Sequence, residues 1–404
     1  AVWQWGGVAP FAVKLLLLGG SALRKGVVSG VRQGLLETGL LYQAAHPASM
    51  AERVGDMHLG SSLQKRRHGA HFHFITVPNA TVVLNIGLIS VGATLILSLL
   101  TQATAATTSI GPVPITLALI ALIVGIPHGA VDNLTLTRGL TTRQRLIGVT
   151  AYVSIAGAAA LCIVQWPGMA FLAVLGMTVW HFGTGDVEAT RELQNLAPLS
   201  GLPRVAYALA LGSAPVLLPL TSPAAVSTLT AIEPRLATLM NETAIIGIRI
   251  TVLILVVLCL LWLIARGDLR GVIELFALAA LGLLVTPLVA FATYFGFWHA
   301  LRHTARLAQV TYGTISWRSM VLVSRGGAPS LIGFVLILVI TISFVDPVLT
   351  AERALWLGLA IVWGLTVPHM FMVARFDARM RSERSPVGNT QLRDRQQSFD
   401  SQER

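Results

Sequence analysis

Cysteine is almost missing from this chain of 404 residues. Cys162 and Cys259 are the only two, each inside an apolar run and neither in a Cys-x-x-Cys pair. That spacing supports no disulfide framework and no thiolate metal site, and both read as small core residues. Charge is scarce too. Asp, Glu, Lys and Arg make up 12% of the chain, against roughly 25% in an ordinary soluble domain. Hydrophobic residues make up 54%, and the mean hydropathy is +0.72. A string of soluble domains is excluded; the composition is that of an all-α, polytopic integral membrane bundle. The chain also lacks a His-His pair and a His-Glu-x-x-His helix. Di-iron membrane desaturases and hydroxylases need the first, and a zinc-dependent membrane protease needs the second.

The basic excess, a formal net charge of +11, stands between apolar runs rather than in one patch. It reads as a topology signal and not as a nucleic-acid surface. Residues 1–79 are moderately polar and basic, and the apolar stretch from Phe11 to Leu18 is broken by Lys14. That is too short for a span of ~20 residues, so a poorly ordered or interfacial extension is expected there. Within residues 80–375 the apolar pattern predicts about ten transmembrane helices, with eight to ten as the range. They fall roughly at 81–101, 111–130, 145–165, 168–183, 202–220, 243–265, 271–286, 288–305, 329–346 and 354–374. Residues 376–404, rich in Arg and Gln, are expected to form a disordered basic tail.

With the N-terminus placed in the cytoplasm, the inside connections carry Arg138, Arg143, Arg145, Arg191, Arg204, Arg266, Arg270, Arg302, Arg306, Arg318 and Arg325. The outside ones carry only Arg235 and Arg353. The asymmetry predicts a multi-pass protein of the cell membrane with both termini cytoplasmic.

Five histidines then fall near the cytoplasmic ends of helices that run in one direction: His128, His181, His299, His303 and His369. His299 and His303 are four apart, so both rings leave one helix face. A single histidine at a helix end is ordinarily an interfacial residue. Ionisable groups within spans are costly, and several at one depth point to function. His128, His181, His299 and His303 are therefore the candidate metal ligands, with His369 either a ligand or a support. His68, His71 and His73, beside Lys65, Arg66 and Arg67, read as a solvated basic stretch.

Asp132 follows His128 by four residues and Asp186 follows His181 by five. A ligating histidine usually donates its second ring N–H to a carboxylate, and these two acids are assigned that part. Imidazole suits zinc, copper, iron and nickel alike, so the ligand type leaves the metal open. Met177, Trp180, Phe182, Tyr294, Phe295, Trp298, Trp363 and Met370 lie near the histidines in sequence. Ordinary helix packing explains most such residues; those that line a cavity would accept a long apolar molecule entering from lipid.

The segments Pro127-His-Gly-Ala-Val-Asp132, His181-Phe-Gly-Thr-Gly-Asp186, His299-Ala-Leu-Arg-His303 and Pro368-His369 resemble, in order and at similar separations, the Brp/Blh family of membrane β-carotene 15,15′-dioxygenases. The resemblance covers about residues 80–375. It implies cleavage of the central double bond of β-carotene by O₂ to give two molecules of retinal. It also implies non-haem iron, Fe(2+), held by His128, His181, His299 and His303, and a functional link to a retinal-binding rhodopsin. The competing reading is a membrane transporter of metal ions or protons using the same histidines. Transporters favour sites at the midplane and internal repeats, whereas these histidines cluster at one end and no convincing repeat is present.

Overall fold

The computed structural model describes residues 80–104, six positions between 116 and 129 (116, 120, 121, 125, 128 and 129), 141–329, 331–333, 336 and 351–384. Among the described residues all regular structure is helical, with no strand. In chain order the elements are α1 (Ala80–Thr104), α2 (Thr142–Gln165), α3 (Pro167–Leu193), α4 (Gly201–Leu220) and α5 (Pro223–Ile232). A short 3-10 turn, Pro234–Leu236, leads to α6 (Glu242–Ala265), α7 (Leu269–Leu284) and α8 (Pro287–Thr293). A π-helical turn, Tyr294–Ala300, joins α8 to α9 (Leu301–Tyr312); α10 (Trp317–Gly326) and α11 (Ala351–Arg384) follow.

The boundaries have local causes. Thr141 and Gln144 form a reciprocal capping box at the start of α2. The Asn241 side chain accepts from the Ala244 N–H at the start of α6, and Asp268 does the same for Gly271 at α7. Pro167, Pro223 and Pro287 each stand in the first turn of a helix, where the missing N–H costs nothing. Gly313, at φ 70°, ends α9 in the left-handed conformation that glycine tolerates.

Six of these helices, α1, α2, α3, α4, α6 and α11, are long and apolar enough to cross a membrane. Their outer faces agree with that: α6 turns Ile250, Ile254, Val257, Leu258 and Leu261 outward, a surface suited to lipid and not to water. The sequence pattern suggests more spans, and the difference has identifiable sources. The segment predicted at 271–286 is a helix of only 16 residues. The one predicted at 288–305 is broken into α8, the π-helical turn and α9, and carries buried Arg302 and Arg306. The spans expected at 111–130 and 329–346 lie largely outside the described residues. The fourth span, placed at 168–183, runs on to Leu193.

The tail expected from residue 376 also needs correction at its start. Helix α11 continues to Arg384, because Asp377 is buried in an ion pair with Arg306 and Arg381 pairs with Glu188.

The core is built from α3, α4, α6, α7 and α8 around Phe182, Leu211, Leu218, Leu275, Leu278 and Leu281. Glycine sets the closest crossing. A Cβ on Gly183 would collide with the carbonyl of Ala208, and one on Gly212 would collide with that of Val179. The backbones of α3 and α4 therefore touch, as small residues permit in membrane bundles. Gly364 gives α11 a similar approach to Ala156 of α2. Replacing Gly212 by Ala is expected to destabilise the protein by about 1–3 kcal/mol or more through overpacking. Gly247→Ala, where a Cβ meets nothing within 4 Å, should be near neutral; thermal unfolding of the two purified variants in detergent checks the contrast.

Candidate metal centre

Separate helical segments deliver five imidazoles to one place. His128 is one of the few described helical positions between 116 and 129, His181 is on α3, His299 on the π-helical turn, His303 on α9 and His369 on α11. All five are buried. The ring of His299 is 5.4 Å from that of His128, 5.2 Å from that of His181 and 5.5 Å from that of His303. His369 sits edge-on to His128 at 5.4 Å and to His181 at 5.2 Å. His303 is further out, at 6.1 Å from His128 and 6.4 Å from His181. Ligand atoms of His128, His181 and His299 all lie within 4.8 Å of one another.

Two of the rings have their orientation fixed from behind. The Nδ1–H of His128 donates to the carbonyl of Gly125, one turn earlier, at 2.6 Å. The Nδ1–H of His299 donates to Oδ1 of Asp186 at 3.0 Å. A carbonyl or carboxylate can only accept, so in both rings Nε2 keeps its lone pair. The Nε2 atoms of His128, His181, His299 and His303 are buried and have no hydrogen-bond partner. Four such nitrogens inside an apolar bundle would be costly if they faced nothing. A cation that accepts neutral imidazole would satisfy the three that lie within 4.8 Å of one another, those of His128, His181 and His299, so the donor set fits iron and equally other metals of that class.

Asp186 acts across the bundle and not within its own motif. Expected to serve His181, five residues away, it instead bonds His299 through one oxygen and accepts from the Tyr294 hydroxyl at 2.8 Å through the other. The π-helical turn makes this possible. Residues i and i+5 stand well apart around an α-helix, but the wider turn brings Tyr294 and His299 to the same side. Asp132, and with it the segment 130–140, lies outside the described residues, as do His68, His71 and His73.

Gly185 also faces the site. A Cβ there would lie 3.2 Å from Cε1 of His299 and 3.8 Å from Nε2 of His303. The packing of α3 against the π-helical turn and α9, and not its local sequence, places this glycine beside the two ring edges.

The aromatic residues divide. Phe182 lies 4.4 Å from the His299 ring, and Phe295 lies 5.1 Å from the His128 ring. Phe291, which no motif in the sequence marks, stacks on Phe295 at 5.7 Å and joins Phe182 at 6.3 Å. Met370, next to His369, is buried and Met177 is half-buried. The others point elsewhere. Trp298 lies beneath the Arg302 guanidinium at 3.7 Å. Trp363 packs with Phe171 and Trp356 in a separate apolar cluster. Trp180 is partly exposed beside Arg204.

Arg302 and Arg306, read from sequence as loop residues that set topology, are 1% and 2% exposed. Arg302, between His299 and His303, pairs with Glu274, and Arg306, three residues beyond His303, pairs with Glu192 and Asp377.

Against this geometry, the family described as beta-carotene 15,15′-dioxygenase matches residues 119–377, more than half of the chain. The match takes in all five histidines. Comparison with curated proteins and with solved structures finds no match. The chain belongs to the β-carotene 15,15′-dioxygenase family.

Proposed function

We propose that this protein cleaves the 15,15′ double bond of β-carotene with O₂ to give two molecules of retinal. The ligands in this reading are His128, His181, His299 and His303, holding Fe(2+) near the cytoplasmic face. The observation that carries it is the meeting of buried His128, His181 and His299, whose ligand atoms lie within 4.8 Å of one another, with His303 beside His299 and with the Nδ1 of His128 and of His299 already tied down. The reaction balances without a proton source, since one C=C and one O₂ become two C=O groups. The chain therefore needs no nucleophile or general acid.

The iron, when bound, would supply activation of O₂, which the closed-shell polyene cannot achieve by itself. The residues do the rest. Neutral imidazoles keep the site's charge low in apolar surroundings. Asp186 holds the Nδ1 proton of His299, which makes Nε2 the ligating atom and strengthens it as a donor. The Tyr294 hydroxyl occupies the other carboxylate oxygen, so Asp186 cannot swing towards the metal. His369, edge-on to His128 and His181, braces both rings. Phe182, Phe291 and Phe295 give an apolar wall for the middle of a long polyene arriving from the bilayer; the ring N–H of His128 goes to the Gly125 carbonyl and not to Asp132, the partner expected from sequence. The retinal formed would pass to a retinal-binding rhodopsin, and the positive-inside pattern supports a cytoplasmic placement of both termini.

Expression in a bacterial strain engineered to make β-carotene should yield retinal with the intact protein and none above background with His303→Ala. Unchanged β-carotene in iron-replete cells that hold the intact protein in their membranes would contradict the proposal. Asp186→Asn keeps the shape but loses the carboxylate, and is expected to lower iron affinity or turnover by about 10- to 100-fold. Iron titration and initial rates on purified protein check that figure.

A further inference from the structure

Beyond the histidines lies a second layer of buried groups, and it is ionic. Glu188 and Glu192 follow His181 on α3 by seven and eleven residues, close to two and three helical turns, so they share its face. Arg306 follows His303 by three residues on α9, and Asp377 follows His369 by eight on α11. Each partner stands on the C-terminal side of its histidine, so α3, α9 and α11 pass through both layers in the same direction.

Arg306 joins all three. Its Nε and Nη2 donate to Oε2 and Oε1 of Glu192 at 2.7 and 2.8 Å, and its Nη1 donates to Oδ1 of Asp377 at 2.8 Å. All three guanidinium nitrogens are used, Arg306 is 2% exposed and Asp377 is 3% exposed. A planar fork that meets one carboxylate with two bonds fixes angle as well as distance.

We infer that Arg306 is a positioning residue for the histidine site, setting the relative height and rotation of the helices that carry His181, His303 and His369. This rests on the reading of those histidines as a metal centre. Charge balance alone would not need this arrangement, since one carboxylate would suffice. The arginine instead engages two, and they belong to two different histidine-bearing helices. A shift of one helix past another by a fraction of a turn would separate the Nε2 atoms that must meet on one ion, and the Arg306 fork opposes such a shift.

The test uses Co(2+) titrated into the full-length protein in detergent, followed through its visible ligand-field bands, with unfolding temperature measured alongside. Arg306→Met is expected to weaken Co(2+) binding by about 10- to 100-fold and to alter the bands. Arg306→Lys, which keeps the charge and loses the fork, should recover only part of the affinity. Asp377→Asn, which leaves Arg306 and Glu192 in place, should move the spectrum the same way by less, and decides the matter if Arg306→Met does not fold. Variants that bind Co(2+) with the affinity and bands of the intact protein overturn the positioning role. Full recovery by Arg306→Lys overturns it too, since charge would then be enough. Failure of the intact protein itself to bind Co(2+) overturns the metal reading on which the inference stands.

Discussion

Inside a bundle with apolar outer faces, a nitrogen lone pair without a partner has no water to turn to, and the structure around the histidines follows from that constraint. Ligand atoms of His128, His181 and His299 lie within 4.8 Å of one another, and the rings of His303 and His369 stand against them. Behind His128 and His299 a hydrogen bond to Gly125 or Asp186 fixes which ring nitrogen is left open. Such a cluster is unfavourable as an empty apolar core and favourable as a coordination sphere. Histidine contributes no charge of its own when neutral, so a bound cation, and not its ligands, would determine the electrostatics of the site.

Everything that positions the rings is held by a device suited to a medium without water. Glycines at 183 and 212 bring α3 and α4 into backbone contact. The π-helical turn lets Tyr294 and His299 share one carboxylate. The neighbouring charges are held in pairs, Arg302 with Glu274 and Arg306 with Glu192 and Asp377, while buried Glu188 takes the half-buried Arg204 and Arg381. Pairs of this kind seldom add net stability compared with apolar packing, but breaking one leaves a charge stranded. Their value lies in allowing one arrangement of the helices.

Much of this is legible in the residues. Hydropathy marks helices and membrane, and His128, His181, His299, His303 and His369 declare themselves because polar groups within apolar runs are rare. What the sequence hides is pairing across the bundle. Nothing near Asp186 says that its partner is His299, 113 residues away, because helix packing and not local spacing decides it. Arg302 and Arg306 mislead for a related reason: an arginine at the end of an apolar run looks like a topology marker, and only the acids opposite show that it is buried. Trp298 and Trp363 mislead as well, since proximity in sequence to a histidine does not say which way a large ring turns. Phe291 and Gly185 carry no signal of their own. The one is a common core residue and the other a common packing residue.

The central claim is that neutral imidazoles, and no other groups of the protein, hold an iron ion within the membrane. X-ray absorption at the iron edge on the purified, iron-loaded protein tests it most directly. The account predicts a first shell dominated by nitrogen scatterers, with the outer-shell pattern of four imidazoles, lost on His299→Ala. A first shell of sulfur or of carboxylate oxygens, or iron that washes away without any imidazole signature, would contradict it.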